Sequence, residues 1–213
     1  MLEFINVKRQ FSNNKGISNN NWQINKGEIV GFIGSNGCGK TTTLKIIAGL
    51  QIVDEGEVIY LGKSISLFPS SIIGLVCEQR SIYQDIRVYQ QLELICALYG
   101  IRRKEMKERI EKWLQIFNLV EYTKSKISEL SKGNQQLIQI ICGLISEPEI
   151  VLLDEPFNGL DETRVSKLIE ILRGFSNNRI ILVAFHQLDL KEALCDRIIH
   201  LQDGSIIDNE VLI

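Results

Sequence analysis

The chain has 213 residues, of which 45% are hydrophobic, and a formal net charge of −2 at pH 7, so it can bury a large core but has no electrostatic reason to bind nucleic acid. Its longest apolar runs, such as 180–185, are far shorter than the ~18 residues that span a bilayer, and no signal-like apolar core follows Glu3, so we expect a cytosolic protein. Five cysteines without C-x-x-C spacing and two histidines predict neither a disulfide framework nor a structural metal site.

An antiparallel sheet is predicted at the start of the chain. Apolar and polar residues alternate from Leu2 to Phe11, the pattern returns at Trp22 and Ile24, and 58–61 is expected to join these strands. Phe11 stands at the end of the first strand. Its ring either stacks on a nucleotide base or packs as an ordinary strand-end aromatic, and both interpretations stay open at this point.

The next segment carries a phosphate-binding pattern. Gly34 to Thr41 reads Gly-Ser-Asn-Gly-Cys-Gly-Lys-Thr and fits G-x-x-x-x-G-K-[ST], between a strand predicted at 28–33 and a helix predicted at 41–50. The glycines let backbone N–H groups point at a triphosphate, Lys40 brings a positive charge to the β- and γ-phosphates, and the Thr41 hydroxyl is placed to bind Mg²⁺. The alternative is a merely glycine-rich turn. Nucleotide contacts are expected from Ser35, Asn36, Gly37, Cys38, Gly39, Lys40, Thr41 and Thr42.

Cys38 lies inside this loop. Because a thiol beside a helix N-terminus and Lys40 is in an activating environment, we expect maleimide to alkylate it and ATP to protect it. The alternative is a small residue that is simply tolerated in a turn.

A helical segment follows a further strand predicted at 73–77. Apolar residues recur at helical spacing from Val88 to Tyr99 and again from Met106 to Phe117, with charged residues on the opposite faces. We expect roughly 84–145 to form a helical lobe inserted between strands, against the alternative that these helices simply cover the sheet.

The run Leu130-Ser131-Lys132-Gly133-Asn134 directly precedes an apolar helix. Ser131 is a residue type that caps helices, and its hydroxyl together with the free N–H groups forms a candidate anion site. On its own, such a run is more often only a capped helix.

Two carboxylates follow an apolar strand predicted at 150–153. Ligands gather at the carboxyl ends of strands in parallel sheets, which brings Asp154 and Glu155 beside the phosphate loop. We therefore expect Asp154 to hold Mg²⁺ and Glu155 to polarise the attacking water as general base. The alternative is an ordinary acidic exit from a strand.

The remaining elements are a turn at 159–161, a helix at about 163–175, a strand at 180–185 and a closing hairpin around Asp203-Gly204. His186 stands at the end of the strand, where it either donates a hydrogen bond to a γ-phosphate oxygen or has no role in the site.

In this order, the segments resemble those of the ATP-binding cassette (ABC) ATPases over nearly the whole chain. The resemblance identifies Gly34 to Thr41 with the Walker A loop, Gln79 with the Q-loop, 130–134 with the signature motif, 150–155 with the Walker B strand, 159–161 with the D-loop, His186 with the switch histidine and Phe11 with the base-stacking aromatic.

The resemblance implies an α/β fold with a P-loop NTPase core, a mainly parallel sheet, an N-terminal antiparallel β subdomain and an inserted α-helical subdomain. It implies one ABC ATPase domain over 1–213, with the core and β subdomain in 1–80 and 146–213 and the helical subdomain in 81–145. The implied cofactors are ATP and Mg²⁺, and Gln79 is implied as a catalytic residue and a further Mg²⁺ ligand.

The resemblance also implies a head-to-tail pair, either a homodimer or a heterodimer with a paralogous ATPase. Ser131, Gly133 and Asp161 would then contact the nucleotide held by the opposite subunit. A transmembrane permease would dock at a groove around 79–90, which would keep this chain at the inner face of the cell membrane. In that groove Ile82, Tyr83 and Ile86 are either exposed apolar contacts or internal packing.

Some positions depart from the family pattern. Lys132 and Asn134 stand where many members have glycine and glutamine, which alters the phosphate contact between the subunits. Basic residues often follow the signature, whereas this chain has Gln135, Gln136 and Leu137, and Cys142 replaces a frequent arginine, so we expect weaker electrostatics of dimer closure. Glu155 and His186 are retained, so we expect hydrolysis to survive.

The function implied is that of the energy-coupling ATPase of an ABC transporter whose membrane domain is a separate polypeptide. The run 81–101 resembles stand-alone ATPases of peptide, antibiotic or multidrug exporters, so export is preferred. The chain ends soon after its last hairpin, so we expect no regulatory C-terminal domain of the importer type. The alternatives are a soluble ABC ATPase that acts on ribosomes or DNA, a small-molecule kinase, and a regulatory module that binds ATP without hydrolysis.

Overall fold

The computed structural model describes residues 1–11, 16–79, 81–186 and 190–212, with the backbone alone at 19 and 20. The strands in these ranges are β1 (Leu2–Gln10), β2 (Gly16–Ile24), β3 (Ile29–Ile33), β4 (Glu55–Tyr60), β5 (Lys63–Ser64), β6 (Ile73–Val76), β7 (Ile150–Asp154), β8 (Ile180–Ala184), β9 (Arg197–Gln202) and β10 (Ser205–Val211). The α-helices are α1 (Lys40–Ile47), α2 (Val88–Leu98), α3 (Arg103–Ile116), α4 (Lys132–Leu144), α5 (Glu162–Phe175) and α6 (Lys191–Leu194). Short 3₁₀ turns lie at Ile65–Leu67, Ser70–Ile72, Val120–Tyr122 and Ile127–Glu129.

The smaller sheet is antiparallel, with strand order β2-β1-β4-β5. Phe4 of β1 pairs with Trp22 on one side and with Val58 on the other, and its ring stacks on Trp22 at 4.3 Å between centroids. The antiparallel N-terminal sheet predicted from the alternating pattern is therefore present, with the third strand beginning earlier than expected, at Glu55.

The larger sheet has the order β10-β9-β3-β8-β7-β6, and only β10 runs antiparallel to its neighbour. All five residues of each of β3, β7 and β8 are buried. Because successive side chains of a strand point to opposite faces, Val151 and Leu153 join the core on one face, while Ile150 and Leu152 join the core on the other. Because core residues cover both faces of the larger sheet, its buried strands are continuous apolar runs.

Helix α1 ends at Ile47, before the predicted end at residue 50. Gly49 has a φ of 71°, a left-handed conformation that glycine adopts without strain, and its N–H bonds to the Ile46 carbonyl. The turn therefore closes the helix earlier than the apolar pattern indicated.

The helices of the 81–145 segment share one hydrophobic cluster with a face of the large sheet. Leu92, Ile110 and Ile141, from α2, α3 and α4, belong to the same cluster as Val151 and Ile181. Helix α4 approaches β6 so closely that a Cβ on Gly74 would lie 1.9 Å from the Gly143 carbonyl oxygen. The division of the chain into a core and a separate helical subdomain remains a prediction, since α4 covers the sheet directly.

No helix in the described ranges is both long and apolar enough to cross a bilayer.

Candidate nucleotide-binding site

The phosphate loop joins the end of β3 to the start of α1. Gly39, at the N-cap of α1, has a φ of 114°, and a Cβ there would lie 2.7 Å from Ile17 Cγ2, so only glycine fits this close approach to β2. No side chain caps α1. The N–H groups of its first turn therefore remain available to an anion at the helix N-terminus.

A cavity of about 350 Å³ lies in front of this loop. The loop, the start of α1 and the acidic ends of β6 and β7 surround it. Its lining residues are Asn36, Gly37, Gly39, Lys40, Thr41, Thr42, Glu78, Asp154 and Glu155. The structure thus brings most of the predicted phosphate-loop residues together with Asp154, the last residue of β7, and Glu155, which follows it.

Lys40 is only 7% exposed and folds back over the loop. Its ammonium Nζ donates to the carbonyl oxygens of Gly34 at 2.6 Å and Ser35 at 3.3 Å. These bonds hold a positive charge at the edge of the cavity, where it can meet a phosphate group.

Asp154 is 4% exposed and accepts a hydrogen bond from the Thr41 hydroxyl at 2.8 Å. Burial raises the pKa of Asp154, the charges of Glu78 and Glu155 raise it further, and the Thr41 bond opposes the shift. A buried carboxylate that is costly to ionise gains most from a nearby cation.

The donor set fits Mg²⁺. In the part of the chain that the structure describes, no three His, Cys, Asp or Glu residues are grouped as a metal cage. Mg²⁺ needs no such cage, because it keeps several waters and is usually bound by one or two carboxylates together with substrate phosphates. Thr41 and Asp154 would hold it, and the ion would neutralise charge on the phosphates.

Replacing Asp154 with Asn is expected to stabilise the nucleotide-free protein. Because the folded pKa of Asp154 lies above the unfolded value, the native state loses stability as the pH rises through these values, and the neutral amide avoids that loss. We expect Tm at pH 7 to rise by about 2–4 °C, the shift that about 1 kcal/mol produces in a chain of this size. The gain should shrink as the pH falls below about 4, where the aspartate of the unfolded chain is protonated as well.

The measurement is a thermal melt of both proteins across pH, with the exposed Asp85→Asn as matched control. An unchanged or lower Tm of Asp154→Asn at pH 7 would contradict the prediction.

Glu155 is 8% exposed and adopts a left-handed φ of 50°, which is uncommon for a residue with a side chain. Its N–H donates to the Ala184 carbonyl at 2.8 Å, which holds the turn after β7 against β8. Strained backbone of this kind persists where the surroundings over-determine it, and it is concentrated at functional sites.

His186 follows β8 and lies 2.9 Å from Glu155, between Nδ1 and Oε2. Since a carboxylate only accepts, Nδ1 carries the hydrogen in this contact. The imidazole then donates through Nε2 to a phosphate oxygen only in its protonated form. The structure thus pairs two of the three predicted catalytic side chains, Glu155 and His186, but ties any phosphate contact by His186 to its charge.

The structure turns Glu78, rather than Gln79, into the cavity. Gln79 is exposed and does not line the cavity, while its backbone carbonyl accepts a bond from Gln139 Nε2 at 3.3 Å. The alternation of side chains stops with β6 at Val76, so the pattern of the strand does not determine which of two adjacent side chains faces the site. The structure therefore adds Glu78 to the residues of the cavity, and the catalytic and Mg²⁺-binding roles of Gln79 remain predictions.

Cys38 is 2% exposed and packs in the core behind the loop. A Cβ added to Gly34 would lie 2.6 Å from its sulfur. The expected alkylation of Cys38 by maleimide is therefore wrong for the folded protein, because the reagent cannot reach the thiol. Its backbone N–H donates to the Ser35 carbonyl at 3.2 Å.

Phe11 is half-buried and is not among the residues that line the cavity. The Arg9 guanidinium lies over its ring, 5.2 Å from the centroid. Base stacking by Phe11 remains a prediction.

The predicted signature and D-loop residues form a second group, and none of them lines the phosphate cavity. Ser131 caps α4, as predicted, by accepting from the Asn134 N–H at 3.2 Å, and Asp161 caps α5 by accepting from the Arg164 N–H at 3.0 Å. Arg164 Nη2 donates to the buried Asn134 side chain at 2.7 Å and joins the two helix starts. A Cβ on Gly133 would lie 2.6 Å from Arg164 Nη1, which can move, and 2.9 Å from the backbone carbonyl oxygen of Gly159, so a side chain there would crowd the backbone of the D-loop.

Of the three apolar residues expected in a permease groove at 79–90, Tyr83 is 62% exposed and Ile86 is half-buried, whereas Ile82 is only 7% exposed. Ile82 packs in the cluster shared with the helices, so of the two interpretations left open for it the structure supports internal packing. Arg80 lies outside the described residues.

Comparisons with known proteins give one family. A family model described as ABC transporter matches residues 17–158. The chain is 36% identical to the uncharacterized ABC transporter ATP-binding protein YhaQ of Bacillus subtilis. That match extends over 205 residues and covers 96% of this chain and 69% of YhaQ. It is 30% identical to the lantibiotic transport ATP-binding protein SrtF of Streptococcus pyogenes, over 97% of this chain and 89% of that protein. It is 29% identical to the methionine import ATP-binding protein MetN of Clostridium acetobutylicum, over 97% of this chain and 67% of that protein.

Among solved structures, a dimeric post-hydrolysis state of the ATP-binding cassette MJ0796 bound to ADP and Pi matches with a TM-score of 0.89 and 27% identity, over 100% of this chain and 99% of that chain. The predicted α/β fold class is thereby confirmed. Together with the phosphate loop and the paired carboxylates, these matches show that the chain belongs to the ABC transporter family, as an ATP-binding subunit with ATPase activity.

Proposed function

We propose that two copies of this chain, or this chain and a paralogue, close head to tail around ATP and Mg²⁺ and thereby drive a separate transmembrane permease. The observation that carries the proposal is the separation of the predicted nucleotide contacts into two groups. Lys40, Asp154 and Glu155 line the phosphate cavity, whereas Ser131 and Asp161 cap helices elsewhere on the same chain. A second subunit is needed to bring both groups to one nucleotide.

The chemistry proposed for the closed pair is hydrolysis of the γ-phosphate bond. Lys40 and the N–H groups of the loop bind the phosphates, and Asp154 and Thr41 hold Mg²⁺. Glu155 accepts the proton of the attacking water, and His186 holds the Glu155 carboxylate in place through Nδ1. Ser131 and the free N–H groups at the start of α4 add donors for the γ-phosphate from the opposite side.

The proposed location is the cytoplasmic face of the membrane, through the permease. For the direction of transport we propose export of a peptide, antibiotic or drug-like cargo, as the resemblance of 81–101 implies. SrtF is named for lantibiotic transport and MetN for methionine import, so transport into or out of vesicles that carry the permease distinguishes the two directions.

The head-to-tail arrangement is tested by Ser131→Arg in a Glu155→Gln background. Ser131 is exposed and does not line the phosphate cavity, so the variant should bind a fluorescent ATP analogue with an affinity within about twofold of its background. The same variant should lose the ATP-dependent dimer in light scattering, because the bulky cation blocks the signature surface.

Ser71→Arg adds the same charge at an exposed position in another turn and should keep the dimer. A Ser131→Arg protein that dimerises as its background does, or that no longer binds nucleotide as a monomer, would refute the shared site.

A further inference from the structure

Gln139 is a buried amide on α4 that reaches the segment between β6 and α2. It is 2% exposed, and its Nε2 donates to the backbone carbonyls on both sides of Glu78, at Cys77 and, at 3.3 Å, at Gln79. An amide nitrogen carries two hydrogens, so one side chain serves both bonds. The peptide segment that carries Glu78 is thus held at two points by a single residue of α4.

The orientation of this amide is determined by its surroundings. In the opposite orientation, Oε1 would face two carbonyl oxygens and would repel both, so the hydrogen-bond network assigns Nε2 to this side. Oε1 is buried and has no hydrogen-bond partner among the described residues. A buried acceptor without a partner is unfavourable, and this cost offsets part of what the two Nε2 bonds contribute to stability.

Glu78 is the side chain that this arrangement presents to the site. Its carboxylate lines the cavity together with Asp154 and Glu155, and within the described part of the chain no side-chain hydrogen bond fixes it there. The position of Glu78 therefore depends on the backbone to either side, which Gln139 holds. Two neighbouring amides of α4 bond elsewhere: Gln135 to the Ile127 and Leu130 carbonyls, and Gln136 to the Pro156 carbonyl.

We propose that Gln139 is a positioning residue that holds the Glu78 carboxylate in the phosphate cavity, where Glu78 strengthens the binding of the metal that accompanies the nucleotide. This inference rests on the proposed function, since it needs a nucleotide–metal complex in the cavity. It also links the site to α4, the helix that Ser131 caps. A displacement of α4 moves Gln139, and with it the Cys77 and Gln79 carbonyls and the Glu78 side chain between them.

The test measures Mn²⁺ binding by electron paramagnetic resonance in the presence of a non-hydrolysable ATP analogue. Gln139→Met keeps the size of the side chain and removes both donors, so we expect Mn²⁺ affinity to fall about 10-fold, as when a residue that orients a metal ligand is lost. Binding of the analogue without metal should stay within about twofold of wild type. Gln139→Asn is one methylene too short to reach the carbonyls, and it provides the same test if Gln139→Met does not fold.

The control is Gln135→Met, which removes an equally buried amide from the same helix and should leave Mn²⁺ affinity unchanged. A double-mutant cycle separates positioning from general damage. If Gln139 acts through Glu78, Gln139→Met should have no further effect in a Glu78→Gln background.

If Gln139→Met lowered Mn²⁺ affinity equally in the wild-type and the Glu78→Gln backgrounds, or did not lower it at all, the role of Gln139 would be overturned and the proposed metal site would remain intact. Absence of nucleotide-dependent Mn²⁺ binding by the wild-type protein would overturn the metal site itself and this inference with it.

Discussion

Glu155→Gln should reduce ATP hydrolysis about 10²- to 10⁴-fold, the usual contribution of a general base. The amide keeps the shape of the side chain but cannot accept the proton of the attacking water. Glu155 is nearly buried, sits on a left-handed turn and contacts His186, so it is held in one position at the rim of the cavity. Substrate binding does not depend on proton transfer. The variant should therefore bind ATP as the wild type does and accumulate as an ATP-stabilised dimer.

Phosphate release measures the loss, and light scattering with ATP measures the dimer. Glu162→Gln is the matched control, because Glu162 is an exposed carboxylate at the start of α5 outside the cavity. Turnover of Glu155→Gln within tenfold of wild type would mean that another group activates the water. Loss of ATP binding would mean that Glu155 holds the site together rather than acting in the reaction.

Lys40→Ala should weaken ATP binding about 10- to 100-fold, which corresponds to the loss of charge-assisted hydrogen bonds worth about 1.5–3 kcal/mol. The ammonium is already gathered at the loop by the Gly34 and Ser35 carbonyls, so little side-chain freedom remains to be lost when phosphate binds. Among the described residues that line the phosphate cavity, Lys40 is the one lysine or arginine, and the variant removes it.

A fluorescent ATP analogue titrated into the purified protein measures this affinity. Lys45→Ala serves as the control, since Lys45 is an exposed lysine on the same helix and does not line the cavity. Its affinity should match wild type. If Lys40→Ala bound the analogue within twofold of wild type, the loop N–H groups alone would account for phosphate binding.

Local patterns in the sequence were sufficient for the elements that form the phosphate site. The glycines and the lysine of 34–41 lie on one continuous stretch between a strand and a helix, and the apolar run before Asp154 is a buried strand in the structure. Such features depend on residues close together in the chain, so their periodicity and spacing carry the information. The capping of α4 by Ser131 was predictable for the same reason.

Tertiary structure alone decided which side chains enter the cavity and which turn away. Glu78 rather than Gln79 faces the phosphate loop, Cys38 and Ile82 pack inward, and Arg164 joins the starts of α4 and α5. Each outcome depends on a part of the molecule that is distant in the chain. Gln139 holds the backbone around Glu78, the packing of helices against the sheets buries Cys38 and Ile82, and Asn134 accepts the bond from Arg164. A sequence pattern describes the periodicity of one element, but the direction of a side chain between two elements is determined by how they pack.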